Sequence, residues 1–132
     1  MSTTKLKSRN FTKEDVWKKV KQIPLGYFST YQKIAEVLGS PRGQQGVAKS
    51  LRVHDCELDT SNLNVNCSND VHCYRVINSD FSVGGYVFDD KGEQIRAKVN
   101  MLRKEGINII ELGKKKYVVD RADRKKMFTS FK

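Results

Sequence analysis

The stretch TYQKIAEVLGSPRGQQGVAKSLR, residues 30–52, decides the fold. Thr30 is an N-cap residue type, Ile34, Ala35 and Leu38 fall on one helical face, and Gly39 supplies a C-terminal stop, so a short helix follows Thr30. Ser40 and Pro41, as N-cap and first helical residue, restart the chain as a helix over 41–52 after that single glycine. Two short helices across a tight turn make a helix-turn-helix. The second helix sorts its faces, with Val47, Ala48 and Leu51 inward and Arg42, Gln45, Lys49 and Arg52 outward. That outward stripe reads either as a recognition surface for nucleic acid or as an ordinary solvated face. Gly43 and Gly46 each weaken a helix by roughly 1 kcal/mol relative to Ala, and mark either close backbone approach or packing.

Upstream, Thr12 and Asp15 have the spacing of a capping box, Phe11 and Val16 that of a hydrophobic staple, and Val16, Val20 and Ile23 form a buried stripe with Trp17 beside it. Pro24 and Gly26 end that first helix. Downstream, residues 53–72 hold Asp55, Glu57, Asp59 and Asp70 with no Lys or Arg, are rich in Asn and Ser, and read as a long polar loop. There follow Val71-His72-Cys73-Tyr74-Arg75-Val76-Ile77, a glycine turn at Gly84-Gly85 beside Tyr86, and a helix over 91–105 that turns Ile95, Val99 and Leu102 inward and stops at Gly106. Glu105 lies on the apolar side of that helix and at its C-terminal end, where the macrodipole disfavours an anion. Either a nearby donor offsets that cost or Glu105 is an ordinary exposed end-of-helix acid. Residues 107–112 and 117–120 pattern as a terminal hairpin. The expected architecture is α+β, mostly helical, a winged-helix-like helix-turn-helix domain over 11–120 with a short β-hairpin, flanked by basic tails at 1–10 and 121–132.

The chain has 132 residues, one domain's worth. Its 25 Lys and Arg against 15 Asp and Glu give a net charge of +10; the 53–72 stretch holds −4, leaving +14 on the remainder. A polyanionic partner is expected. No uninterrupted apolar window reaches a membrane span and the first ten residues lack the apolar segment of a signal peptide, so the expectation is an intracellular monomer with no membrane partner, cytoplasmic and nucleoid-associated, or nuclear in a eukaryote. Three cysteines then argue for thiols with individual jobs. Cys73, with Arg75 two residues away, sits where a thiolate is favoured and reads as a nucleophile or as a buried hydrophobe. His54, Cys56, Cys67 and His72 bracket the acidic loop in two pairs, at spacings that match no standard zinc motif, and are candidates for zinc; Cys56 and Cys67 are alternatively a loop disulfide.

The ordered series Val16-Trp17, Ile23-Pro24-Leu25-Gly26, Thr30-Tyr31-Gln32-Lys33-Ile34-Ala35, Gly39-Ser40-Pro41, Cys73-Tyr74-Arg75-Val76, and Lys98 with Leu102-Arg103-Lys104-Glu105-Gly106 resembles the C-terminal domain of the O6-alkylguanine-DNA alkyltransferases, from about Phe11 to Ile107. The resemblance implies a helix-turn-helix in the minor groove of double-stranded DNA, a damaged guanine flipped into a pocket, and irreversible transfer of its alkyl group to a cysteine with neither metal nor organic cofactor. By the same resemblance Cys73 is the acceptor, Tyr31 aids flipping and contacts the base, Arg75 is the motif arginine, Glu105 ends a proton relay, and Lys98 lies near the pocket. Tyr86 and Arg75 join the helix-turn-helix stripe among the DNA-side candidates. Three departures stand out: the relay histidine is Tyr74, the motif proline is His72, and the arginine that fills the hole left by the flipped base aligns with Gln45. The family's hinge asparagine falls near His54. Tyr, with a reference pKa of about 10, passes a hydrogen bond to Glu105 but is a poor base near neutrality.

Three functions are therefore in competition. The first is single-turnover repair, a methyl group moving from O6-methylguanine in duplex DNA to Cys73. The second is a non-catalytic alkyltransferase-like protein that binds O6-alkylguanine lesions and recruits other repair proteins. The third is a general helix-turn-helix DNA binder in which Cys73 is structural.

Overall fold

The computed structural model describes residues 11–52, 56–59, 64–67, 71–83, 93–113 and 116–132. Helix α1 (Lys13–Val20) opens on the capping box: the Asp15 amide donates to the Thr12 hydroxyl at 3.2 Å and the Thr12 amide to the Asp15 carboxylate at 2.9 Å. Its Val16 and Val20 are fully buried, and the Trp17 indole N–H donates to the Ser50 carbonyl at 3.0 Å, tying α1 to the third helix. Strand β1 (Ser29–Thr30) runs directly into α2 (Tyr31–Val37), because Thr30 accepts from the Lys33 amide as N-cap. Gly39, at φ +82°, ends α2 as expected.

Helix α3 (Gln44–Arg52) begins three residues later than the Ser40-Pro41 reading placed it. The Gly43 amide instead donates to the Ser40 carbonyl at 2.7 Å, so Ser40-Pro41-Arg42-Gly43 closes as a turn. Ser first, Pro second and Gly fourth are that turn's preferred residues, and they outcompete the same residues' fitness for a helix start. Gly43 is a packing position: a Cβ there would lie 3.0 Å from the Phe11 ring and from the Ser40 carbonyl oxygen. Helices α2 and α3 with this turn form the helix-turn-helix.

Within the stretch expected to be loop, β2 (Cys56–Asp59) and β3 (Asn64–Cys67) pair antiparallel, with Cys56 opposite Cys67 and Leu58 opposite Val65. The period-2 alternation of Cys-Glu-Leu-Asp and Asn-Val-Asn-Cys is the signal that the acidic, Asn-rich composition masked. β3 packs against α4 (Glu93–Lys104).

After a single 3₁₀ turn at Cys73–Arg75, β4 (Val76–Ile77) pairs in parallel with β1, Ser29 opposite Val76. On the other edge of β1, Phe28 exchanges backbone hydrogen bonds with Lys126 and Phe128. Residues 121–132, expected as a basic tail, thus fold back: Arg121–Lys126 is a 3₁₀ helix, and the Lys132 amide donates to the Gln22 side chain at 2.7 Å. The hairpin β5 (Ile109–Gly113) and β6 (Lys116–Val119) lies where the pattern put it, after Gly106 at φ +94°. Val20, Ile34, Val47, Val76, Leu102 and Ile107 are fully buried in one core. The architecture is α+β, a helix-turn-helix domain with short hairpins, and no helix among the described residues is long and apolar enough to cross a membrane.

Candidate functional site

Helix α4 is the spine of the site. Lys98 and Glu105 are seven positions apart, two turns or about 10.5 Å along one face. At the first, the Lys98 side chain, only 2% exposed, donates to the Tyr31 hydroxyl at 3.2 Å, its ammonium 5.5 Å from the ring centroid. An ammonium has no acceptor site, so Tyr31 keeps its own O–H for a third partner. Tyr31 is the first residue of α2 and half-buried, so that proton is near the helix-turn-helix surface.

At the second, Glu105 receives a two-pronged bond from Arg75, Nε to Oε1 and Nη2 to Oε2 at 2.9 Å each, and a third donor, the Tyr74 hydroxyl, on Oε2. The remaining Arg75 nitrogen, Nη1, donates to the Ile23 carbonyl at 2.8 Å, and the Gly26 amide donates to Glu105. The turn at Ile23-Pro24-Leu25-Gly26 therefore completes the cradle from the other side. Burial opposes ionisation of Glu105, but the bonds from Arg75 and Tyr74 outweigh it and hold the carboxyl below its ordinary 4.5. Burial, reinforced by the bond to Glu105, raises the Tyr74 phenol well above its ordinary 10.0. For Arg75, burial pulls down and Glu105 pulls up more strongly, so its charge is fixed. The puzzle of an anion at the end of α4 is answered by these donors.

Arg75 is 6% exposed and turned inward onto Glu105 and Ile23, which removes it from the DNA-side set: its donors are committed to the fold. Cys73, 3% exposed, begins the 3₁₀ turn that Tyr74 and Arg75 anchor. His72 stands edge-on to the Tyr74 ring, centroids 5.7 Å apart. The Cys67 thiol lies 3.7 Å from that of Cys73, a neighbour that spacing did not reveal because it depends on how β3 docks. Arg42, Gln45 and Lys49 are exposed as the stripe required. Tyr86 and His54, and the side chains of Arg52 and Cys56, lie outside the described residues. Cys67 is a thiol, not half of a disulfide, and among the described residues no three His, Cys, Asp or Glu side chains gather as a metal site.

Residues 11–107 match the family model for the 6-O-methylguanine DNA methyltransferase DNA-binding domain. A rat methylated-DNA–protein-cysteine methyltransferase is 28% identical over 77 residues, covering 58% of this chain and 32% of its own length, so the matched region is about a third of that relative. Among solved structures, S. pombe Atl1 in complex with damaged DNA containing O6-carboxymethylguanine is similar in fold, with a TM-score of 0.67, 22% identity, and coverage of 88% of this chain and 93% of that one. Mycobacterium tuberculosis OGT in complex with DNA is 26% identical with a TM-score of 0.54, covering 74% of this chain and 51% of that one.

Proposed function

The chain belongs to the 6-O-methylguanine DNA methyltransferase family through its DNA-binding domain, and from that premise we propose that it repairs duplex DNA by taking the alkyl group of O6-alkylguanine onto Cys73. The observation that supports this most is the division of labour along α4, with Lys98 holding Tyr31 at the helix's middle and Glu105, just past its last residue, fixing the turn that begins with Cys73. The complexes of Atl1 with O6-carboxymethylguanine DNA and of OGT with DNA support a lesion-containing duplex as the partner.

The chemistry runs in one displacement. Arg42 in the turn before α3 and Lys49 on α3 neutralise phosphates, and the damaged base leaves the stack to reach a thiol that is buried in the protein. The Cys73 thiol gives its proton to water. Its Sγ then attacks the alkyl carbon, a C–S bond forms as the C–O6 bond breaks, and the electron pair passes into the guanine ring, which regains a proton. Tyr31 donates toward the flipped base, strengthened as a donor by the Lys98 ammonium on its oxygen. Tyr74 serves as a brace: its proton is committed to Glu105, and Glu105 already cancels the Arg75 charge, so the thiolate forms with less help than a histidine relay supplies.

That committed hydroxyl also favours a second reading, in which the site holds the lesion without reacting and passes it to other repair proteins. One experiment separates the two. Incubation of the chain with O6-methylguanine duplex should add about 14 Da, one methylene's worth, to the peptide holding Cys73. Saturable lesion binding with no mass change at any pH from 6 to 9 (a range of about three units around the reference thiol pKa) would establish the binding reading instead.

A further inference from the structure

Cys67 has no part in the reaction above, yet its Sγ lies 3.7 Å from that of the acceptor. The proximity is imposed by packing. Cys67 ends β3 and Cys73 begins the 3₁₀ turn, and both elements dock on the same helix, α4. The two thiols differ in access, since Cys67 is half-buried and Cys73 is 3% exposed. A disulfide needs the sulfurs at about 2.05 Å, an approach of about 1.7 Å that side-chain rotation and a small adjustment at the end of a two-stranded hairpin supply.

We propose that Cys67 and Cys73 form a reversible oxidation site, at which a peroxide-class oxidant closes a disulfide that withdraws Cys73 from alkylation until a thiol reductant reopens it. The disulfide follows from the geometry alone; its consequence for repair rests on the reading of Cys73 as alkyl acceptor. The more accessible Cys67 thiolate attacks a peroxide oxygen, the O–O bond breaks and hydroxide leaves, giving a sulfenic acid. The Cys73 thiolate then attacks the Cys67 sulfur, the S–S bond forms, the S–O bond breaks and a second hydroxide leaves. Two thiol protons and two hydroxides become two waters, so two thiols and one hydrogen peroxide yield one disulfide and two waters. Attack by a reducing thiolate on either sulfur frees the other cysteine and leaves a mixed disulfide, which a second reducing thiolate resolves as the reductant's own disulfide, returning both Cys67 and Cys73 as thiols. Oxidised this way, the acceptor is stored in a recoverable form, whereas over-oxidation to sulfinic acid is not recoverable by thiols.

The test uses the full chain, reduced and then treated with hydrogen peroxide. The expected product is lighter by about 2 Da, an Asp-N digest, which cuts before Asp70, contains Cys67 and Cys73 in one linked peptide pair, and labelling of Cys73 by iodoacetamide is lost and returns with dithiothreitol. Cys67→Ser should abolish the linked pair and leave Cys73 gaining oxygen in steps of about 16 Da, while Cys56→Ser should form the same linkage as the unaltered chain. A Cys56–Cys67 linkage would overturn the proposal, since those two are register partners in β2 and β3. So would oxygen uptake at Cys73 with no linked product. Because iodoacetamide reports the thiol without DNA, linkage with no methyl transfer in the reduced chain would count against the repair reading and leave the oxidation site standing.

Discussion

The Tyr74 hydroxyl donates to the Glu105 carboxylate, so at the position where the family's motif has a histidine this chain holds a proton donor clamped to an acid. With its ionisation pushed above the ordinary 10.0, the phenol takes no proton from Cys73 at neutral pH. Tyr74→Phe should therefore leave the rate of alkyl transfer within about twofold, while Tyr74→His should raise it by up to about a hundredfold, the lower end of what a positioned base contributes. Single-turnover rates at pH 7 on O6-methylguanine duplex would measure both. Equal rates for all three chains would remove this position from the chemistry.

The Arg75–Glu105 pair is nearly enclosed, its side chains 8% and 9% exposed. Removing one member leaves a buried charge without its partner, so Glu105→Gln and Arg75→Met should each destabilise the domain by about 3 kcal/mol. The double variant should cost much less than the two together, because it leaves no orphan charge. Urea unfolding of the four chains closes the cycle, and strict additivity would mean that the pair is not coupled.

The same cluster sets a pH window for stability. An unfolded Glu105 takes its proton near 4.5 and the folded one only at lower pH, so the stabilisation is complete above about 4.5 and is lost as pH falls below it. Tyr74 acts with the opposite sign: its folded ionisation lies above the unfolded 10.0, so stability contributed below pH 10.0 is lost as pH rises past it. Melting temperatures measured from about pH 3 to about pH 11 should fall at both ends, and in Glu105→Gln the acid limb should flatten.

At Gly43 an added methyl would meet the Phe11 ring and the Ser40 carbonyl oxygen at 3.0 Å. Gly43→Ala should lower stability by about 1–3 kcal/mol. Thermal melts of this variant decide whether the turn yields: a stabilised chain would show that Phe11 moves aside without cost.

Arg42 and Lys49 stand exposed on the helix-turn-helix face. If each meets a phosphate, alanine there should reduce the slope of log affinity against log salt by about one per residue, and weaken lesion and intact duplex alike. Fluorescence anisotropy across a salt series reads this directly. Unchanged slopes in both variants would place the DNA elsewhere.

Where the residues' local chemistry and their tertiary use coincide, the structure was legible in advance. The Thr12–Asp15 box, the Gly39 stop and the terminal hairpin are decided within a few residues, and each formed as its pattern indicates. The start of α3 differs from the Ser40-Pro41 pattern because those two residues also suit a turn, and Gly43 in its fourth position closes that turn instead. The β2–β3 hairpin was hidden by composition, four acids and many Asn outweighing a short alternation. At the site, Glu105 stands out because an acid at that end of a helix needs a donor, and the resemblance gives Tyr74 as one; Arg75, read as a DNA-side residue, turns out to be the other. The Ile23 carbonyl, the Gly26 amide and the Cys67 thiol carried no such sign, since their roles arise from how a turn and a strand dock on α4.

That docking makes α4 a phase-keeper. Tyr31 and the Cys73 turn are 42 residues apart in sequence, and what relates them is the angular setting of Lys98 against Glu105 on one helix. One residue inserted or deleted between positions 98 and 105 rotates the two by about 100°, swinging either Lys98, which holds Tyr31, or Glu105 off the shared face. Length variation in this chain is therefore expected to be forbidden in those two turns, however well the helix itself would absorb it.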